Sequence, residues 1–187
     1  MSYNKISFWK NRYDPNSDNG RKTTPDHIKI VKPFLPPNIN LLDYGPGVGR
    51  MIDLYKNQTH INFYDISPTY KSRLIQKCKN NNLKINKHII DESGKIKTPF
   101  KDNEFDIVCS FEVLLHCPEA EIEEVIRELS RIGKKVIIIT WYKKGETLVT
   151  KHCFTRNYKN LIKKNNLKLI HLDEDSLKSQ IFFIYSK

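Results

Sequence analysis

The stretch Asn40-Leu41-Leu42-Asp43-Tyr44-Gly45-Pro46-Gly47-Val48-Gly49-Arg50 decides the fold of this chain. Its first half is apolar enough for a buried strand, and its second half is a glycine-rich turn that predicts the start of a helix. A second apolar strand, residues 61–65, ends in the acid Asp65. Glycines let the backbone approach a ligand, and a carboxylate one strand later can accept hydrogen bonds from ribose hydroxyls. The stretch therefore predicts a site for a nucleoside-bearing cofactor.

The spacing of the glycines narrows the choice of cofactor. They stand at positions 45, 47 and 49, and Arg50 occupies the place where a dinucleotide-binding fingerprint has its third glycine. That glycine allows close packing of helix on strand, so a dinucleotide fits the pattern poorly. Residues 43–49, with Asp65 beyond them, instead resemble the class I S-adenosylmethionine-dependent methyltransferases. The resemblance covers about residues 38–187 and implies S-adenosyl-L-methionine as the cofactor.

Hydrophobic periodicity predicts an α/β fold. Strands are predicted at residues 40–44, 61–66, 84–90, 105–111, 135–140, 167–172 and 180–185, and helices near 48–57, 69–82, 118–132 and 155–165. Alternating strands and helices favour a doubly wound, mostly parallel sheet. The last two strands have too short a connection for a parallel crossover, which needs about a dozen residues, so they should pair antiparallel. The resemblance likewise implies a Rossmann-like seven-stranded sheet with an antiparallel last strand.

The domain prediction is a single methyltransferase domain over residues 1–187. Residues 1–38 are predicted as a helical cap or lid, with one short amphipathic helix near the N-terminus and a second that begins at Thr24-Pro25-Asp26. A hydroxyl N-cap, a proline at the first helical position and an acid in the first turn favour that second start. Residues 39–187 form the cofactor-binding core.

Composition excludes several classes of protein. No run of 18 uncharged apolar residues occurs, so no membrane span is expected. Four cysteines without a CxxC pair favour reduced thiols over a disulfide frame or a zinc site, and so a cytoplasmic location. The acid-rich metal-ligand set of catechol-type enzymes is not evident, so no bound metal is expected. The net charge of +11 makes a nucleic-acid partner possible. Scattered lysines without an arginine-rich stripe do not favour one.

The cofactor-binding residues that the resemblance implies are Asp43, Gly45, Pro46, Gly47, Gly49, Asp65, Ile66, Asp91, Ser110 and Phe111. Gly45 and Gly47 would pass under the methionine part of the cofactor, and Asp43 would support the turn. Asp65 would hold the ribose hydroxyls; its alternative is an exposed acid at a strand end.

The remaining cofactor contacts concern the adenine and the ammonium group. Ile66 would pack on the adenine face, and Asp91 would accept from its amino group, with Glu92 as an alternative. Ser110 or Phe111 would offer a backbone carbonyl to the ammonium group.

Two residues are candidates for a general base. His116 lies between the fourth strand and its helix, titrates near neutrality, and has a counterpart in many methyltransferases that this chain resembles. Its alternative role is to cap or pack at the helix start before Pro118. Glu112 is the second choice, and its alternative role is support of the cofactor loop.

The acceptor-binding candidates are aromatic. Trp141 and Tyr142 follow the fifth strand, and Trp9 and Tyr13 belong to an N-terminal segment that could close over the cofactor or simply anchor in the core. Arg156 is taken as an ordinary surface or satisfied residue.

The predicted function is methyl transfer to oxygen or nitrogen of a small molecule or glycan. The chain has no Asn/Asp-Pro-Pro-Tyr/Phe motif after the fourth strand, where methyltransferases of base amino groups usually carry one, and no large insertion after the fifth. Two alternatives stay open. The first is an RNA or protein methyltransferase that uses the basic surface, and the second is a non-catalytic, methyltransferase-like binding subunit.

Overall fold

Seven strands form the sheet of this protein. A computed structural model describes residues 5–11, 24–58, 60–141, 153–177 and 180–187. The strands are β1 (Leu41–Tyr44), β2 (His60–Asp65), β3 (Lys84–Ile90), β4 (Phe105–Phe111), β5 (Gly133–Trp141), β6 (Lys168–Asp173) and β7 (Gln180–Ser186). Their order in the sheet is β3-β2-β1-β4-β5-β7-β6. This is the predicted Rossmann-like, seven-stranded arrangement.

The strand directions confirm the predicted mixture. β2 pairs parallel with β1 and β3, and β4 pairs parallel with β5. β7 pairs antiparallel with both β5 and β6. The last strand of the chain is therefore the antiparallel one, as the short connection between residues 173 and 180 requires.

Five α-helices accompany these strands within the described residues. They are α1 (Lys5–Asn11), α2 (Pro25–Val31), α3 (Lys71–Asn80), α4 (Ile122–Ile132) and α5 (Tyr158–Lys164). Three 3₁₀ helices span Lys32–Phe34, Ile52–Tyr55 and Leu114–His116. α2 begins as predicted, since the Thr24 hydroxyl accepts a hydrogen bond from the backbone N–H of His27 at 3.3 Å.

Burial follows position in the sheet. All four residues of β1 are buried, and the inner strands β4 and β7 carry long runs of buried residues. The outermost strands β3 and β6 are mixtures of half-buried and exposed residues. Continuous apolar runs are typical of strands covered on both sides, and exposed lysines such as Lys84 are typical of a sheet edge.

The prediction of an α-helix near residues 48–57 is wrong. A turn covers residues 47–51, and only the 3₁₀ helix Ile52–Tyr55 follows it. Gly47 and Gly49 have φ values of +52° and +72°, which are left-handed and incompatible with an α-helix that starts at residue 48. The other predicted helices are present with shorter bounds.

The chain divides into two compact units. One consists of residues 6–94 and contains β1–β3, and the other consists of residues 95–187 with residues 1–5 and contains β4–β7. Each unit buries its own strands, with Leu41 and Phe63 fully buried in the first and Val108 and Phe183 in the second. The single domain over 1–187 and the cap over 1–38 stay predictions.

Candidate functional site

The glycine turn after β1 uses its glycines in two different ways. A Cβ atom added at Gly47 would meet nothing within 4 Å, so the backbone there borders open space. A Cβ atom added at Gly49 would lie 2.8 Å from Cδ1 of Leu74 in α3, so Gly49 allows turn and helix to pack together. The N–H of Gly45 donates to the carbonyl of Tyr64 in β2 at 2.8 Å. The turn is thus fixed on two sides and open at Gly47.

Asp65 ends β2 and holds this turn. Its Oδ2 accepts from the N–H of Gly47 at 3.1 Å, and its Oδ1 accepts from the N–H of Ser67 at 3.0 Å. Burial raises the pKa of Asp65 to about 6, against the opposing effect of the hydrogen bonds from Ser67, Gly47 and Ile66. A carboxylate has about four acceptor positions, so with three of them occupied capacity remains for a hydroxyl donor. The alternative of an exposed strand-end acid does not describe Asp65.

Asp43 is a second buried carboxyl group beside the turn. It is only 3% exposed in β1. Burial raises its pKa to about 7; the hydrogen bond with the Tyr55 side chain lowers it, and the negative charge of Asp65 raises it. Buried Asp43 and half-buried Asp65 repel each other when both are ionised, so a proton on Asp43 relieves the repulsion.

Asp91 and Glu92 follow β3 and have different surroundings. The Asp91 backbone N–H donates to the carbonyl of Asp65 at 2.9 Å, and its Oδ2 accepts from the Tyr64 hydroxyl at 3.1 Å. Glu92 is exposed and pairs with Lys10 of α1 at 2.7 Å. Of these two acids, Asp91 is therefore the one attached to β2 by hydrogen bonds, and it lies next to Asp65.

The N-terminal helix α1 is fastened to the loop that follows Asp65. The carbonyl of Trp9 accepts from the hydroxyls of Ser67 at 3.1 Å and Thr69 at 3.2 Å, and the carbonyl of Lys10 accepts from Thr69 at 3.1 Å. The Trp9 ring is half-buried and meets the Phe8 ring edge-on. The structure places Trp9 beside the Asp65 loop, and the predicted Tyr13 lies outside the described residues.

The end of β4 carries three predicted residues of the second unit. Ser110 is fully buried, and its hydroxyl has no hydrogen-bond partner among the described residues. Phe111 is 6% exposed. Glu112 has a φ of +59°, its N–H donates to the carbonyl of Ile139 at 2.7 Å, and its Oε1 accepts from Gln180 at 3.0 Å. A left-handed conformation at a non-glycine residue is uncommon and concentrates at functional sites.

His116 ends the 3₁₀ helix Leu114–His116 and is half-buried. Its backbone N–H donates to the carbonyl of Val113 at 2.8 Å. Its Nδ1 lies 3.8 Å from the Sγ atom of Cys153. The imidazole is therefore in contact with a segment 37 positions later in the chain.

An aromatic residue at the end of β5 and an arginine before α5 lie in the second unit. Trp141 ends β5 and is half-buried, while Tyr142 lies outside the described residues. Arg156, predicted to be an ordinary surface or satisfied residue, is a satisfied one: its side chain is only 6% exposed and bonds to the loop that carries His116. No local sequence signal identifies it, because its partners lie 37 to 42 positions away.

A family model described as "Methyltransferase domain" matches residues 42–138, which is more than half of the chain. The chain belongs to the class I S-adenosylmethionine-dependent methyltransferase family. The matched region of this methyltransferase contains the glycine turn, Asp65, Ser110 and His116. No curated protein sequence gives a significant match.

Solved structures share the fold. A SAM-dependent methyltransferase from Aquifex aeolicus matches with a TM-score of 0.66 at 18% identity, over 93% of this chain and 98% of the other. Magnesium protoporphyrin IX methyltransferase (ChlM) from Synechocystis PCC 6803 with bound SAM matches with a TM-score of 0.71 at 14% identity, over 98% of this chain and 97% of the other. The [4+2]-cyclase SpnF matches with a TM-score of 0.63 at 18% identity, over 78% of this chain and 57% of the other. Such identities show the fold alone, so no acceptor is carried over.

The family's cofactor is S-adenosyl-L-methionine, and the residues of the first unit fit it. The open space over Gly47 leaves room for a ligand against the backbone. Asp65 keeps an acceptor position for a ribose hydroxyl, and Asp43 is a second carboxyl group beside the turn. Within the described residues no group of three His, Cys, Asp or Glu side chains could hold a metal ion. No described helix is long and apolar enough to cross a membrane.

The pKa of Asp43 predicts a pH dependence of stability. A carboxyl group with a folded-state pKa of about 7, against an ordinary 3.8, binds its proton more tightly when folded, so stability falls as the pH rises from about 4 to 7. Asp43→Asn removes this titration and keeps an acceptor for Tyr55. We expect the variant to match the wild type at pH 4 and to exceed its unfolding free energy at pH 8 by more than about 1 kcal/mol.

Urea unfolding at pH 4, 6 and 8 measures this difference. Asp26→Asn, at an exposed position in the first turn of α2, is the control. Its unfolding free energy relative to wild type should not rise with pH. A difference between Asp43→Asn and wild type that is the same at all three pH values would contradict the buried, proton-binding state of Asp43.

The positive φ of Glu112 predicts which substitutions at residue 112 preserve the stability of the protein. Asparagine accepts left-handed backbone, whereas a β-branched residue does not. We expect Glu112→Asn to change the unfolding free energy by less than about 0.5 kcal/mol and Glu112→Val to lower it by about 2 kcal/mol. The same two substitutions at exposed Glu124 of α4 should differ by no more than about 0.5 kcal/mol. Equal losses at residue 112 would show that its backbone is not constrained.

Proposed function

We propose that this protein transfers the methyl group of S-adenosyl-L-methionine to an oxygen or nitrogen atom of a small-molecule or glycan acceptor. The observation that carries the proposal is the pair of contacts by which Asp65 binds the Gly47 and Ser67 N–H groups beside open space. This arrangement orders a carboxylate for a ribose before the cofactor arrives. Membership of the family gives the class of reaction, methyl transfer, and the choice of acceptor is what is proposed.

Positioning is the main task of the protein in this reaction. When bound, S-adenosyl-L-methionine supplies a methyl group already activated by a positively charged sulfur. Alignment of the acceptor with that methyl group can contribute on the order of 7–11 kcal/mol for well-oriented partners. Asp65 and the glycine turn hold the nucleoside end, and the proposed cofactor contacts at Ile66, Asp91, Ser110 and Phe111 complete the set.

We assign His116 as the base that takes a proton from a hydroxyl acceptor. Its place in the loop after β4 supports this role. Glu112 is the weaker candidate, because its carboxylate already accepts a hydrogen bond from Gln180. An amine acceptor that arrives unprotonated has less need of a base.

A small acceptor suits the length of the chain after β5. Only residues 142–157 lie between β5 and α5, which leaves little protein for an extended acceptor pocket. Trp141 and Trp9 are the described aromatic residues proposed to contact the acceptor. The four cysteines are all free thiols, which supports the proposed cytoplasmic location.

Calorimetry with S-adenosyl-L-methionine, S-adenosyl-homocysteine and NAD tests the cofactor part of the proposal. We expect micromolar binding of the first two, none of NAD, and at least a tenfold loss of affinity in Asp65→Ala. Loss of the ribose hydrogen bonds to a charged acceptor accounts for that factor. Asp26→Ala, at an exposed acid of the same unit, is the control and should bind as wild type. Equal affinity in Asp65→Ala would remove Asp65 from the site.

A turnover assay that detects S-adenosyl-homocysteine separates the acceptor classes. The acceptors are a panel of small alcohols, amines and oligosaccharides, with unstructured RNA in parallel. We expect turnover on the small acceptors to change little between 50 and 200 mM salt. A loss of roughly a thousandfold over that range would favour RNA, since phosphate contacts are strongly salt-dependent. Cofactor binding without turnover on any acceptor would favour the non-catalytic subunit.

A further inference from the structure

Arg156 is a cation held almost entirely away from solvent. Its side chain is 6% exposed, and the guanidinium lies over the Phe154 ring, 5.1 Å from the centroid. NH1 donates to the carbonyl of Leu114 at 3.0 Å, and NH2 donates to the carbonyl of Cys117. Nε donates to the carboxylate of Glu119 at 2.8 Å. All three nitrogens therefore have partners in one short stretch, residues 114–119.

The two carbonyls that Arg156 binds lie on either side of His116. The Leu114 carbonyl also accepts from the Cys117 N–H at 3.2 Å, a local hydrogen bond that closes this turn. Phe154 supplies a further bond from outside the turn, because its N–H donates to the carbonyl of Leu115 at 2.7 Å. Residues 154–156 thus cap the 3₁₀ helix that ends in His116.

The same segment reaches the imidazole itself. Cys153 comes one residue before Phe154, and its Sγ lies 3.8 Å from Nδ1 of His116. Residues 153–156 therefore contact both the His116 imidazole and the carbonyls of neighbouring residues in the turn. Arg156 makes two of these contacts to the turn carbonyls.

We propose that Arg156 is a positioning residue for His116, because its guanidinium joins the segment 153–156 to the carbonyls on both sides of the imidazole. The proposal deepens the proposed function and rests on it for the role of His116. A guanidinium suits the task because its planar fork donates in two directions at once, whereas a lysine ammonium is a single point of charge. The Glu119 carboxylate is 78% exposed, so its ion pair adds little.

Arg156→Lys tests the proposal, with Arg127→Lys as the matched control. Arg127 lies on α4 and pairs with Glu123 at the exposed surface. The first readout is the nitrogen-15 NMR spectrum of His116, which reports its tautomer and pKa. The second is the rate at which iodoacetamide alkylates Cys153, the half-buried thiol, against the buried Cys78 and Cys109. Both readouts are independent of the acceptor.

We expect Arg156→Lys to shift the His116 tautomer signals and to raise the Cys153 alkylation rate at least tenfold. The affinity for S-adenosyl-L-methionine should stay within twofold of wild type, and kcat with an acceptor from the turnover panel should fall at least tenfold. Arg127→Lys should change none of these quantities. Unchanged His116 signals and alkylation rate in folded Arg156→Lys would overturn the proposal.

Milder variants keep the test decisive if Arg156→Lys does not fold. Phe154→Leu removes the ring under the guanidinium and should shift the His116 signals in the same direction, while Glu119→Gln should leave them in place. Unchanged signals in Phe154→Leu, or a full shift in Glu119→Gln, would overturn the proposal.

His116→Gln separates this proposal from the function on which it rests. If its turnover equals that of wild type, His116 is not the base, and the proposed function loses that residue. The His116 signals of Arg156→Lys would still report whether Arg156 positions the ring.

Discussion

The candidate site depends on one half-buried carboxylate that connects two segments of chain. Asp65 accepts the N–H of Gly47 from the turn after β1 and the N–H of Ser67 from the loop after β2. Removing a carboxylate from water is costly, and these hydrogen bonds offset part of that cost. The turn and the loop therefore keep this arrangement only while both donate to the same side chain. Any ligand that approaches Gly47 meets a surface ordered in advance.

The second unit arranges its candidate residues by a different means. Glu112 holds a left-handed backbone at the end of β4, supported by a backbone bond to Ile139 and a side-chain bond from Gln180. His116 follows on a single 3₁₀ turn whose carbonyls are bound from outside by Arg156. Short turns have few hydrogen bonds of their own, so their geometry depends on what packs against them. The loop after β4 is thus shaped by residues that come much later in the chain.

Local pattern and spacing predict the parts of this molecule that local forces decide. The strands, the antiparallel end of the sheet, the Thr24 cap and the place of Asp65 follow from periodicity and turn chemistry. The α-helix expected near residues 48–57 is not present, because Gly49 takes a left-handed φ and packs closely against Leu74 of α3. The local pattern does not show that contact. The contacts of Arg156 cannot be predicted from local pattern either, since its partners lie 37 to 42 positions earlier in the chain.

The close approach of Gly49 to Leu74 bears on which residue can stand at position 49. A methyl group there would lie 2.8 Å from Cδ1 of Leu74, so the tip of that leucine would have to move. A shorter residue at 74 would make room for the methyl group but would leave the backbone conformation of residue 49 as it is. Only glycine takes that dihedral at low cost, so residue 49 is restricted by its φ of +72° as well as by a side chain 25 residues downstream.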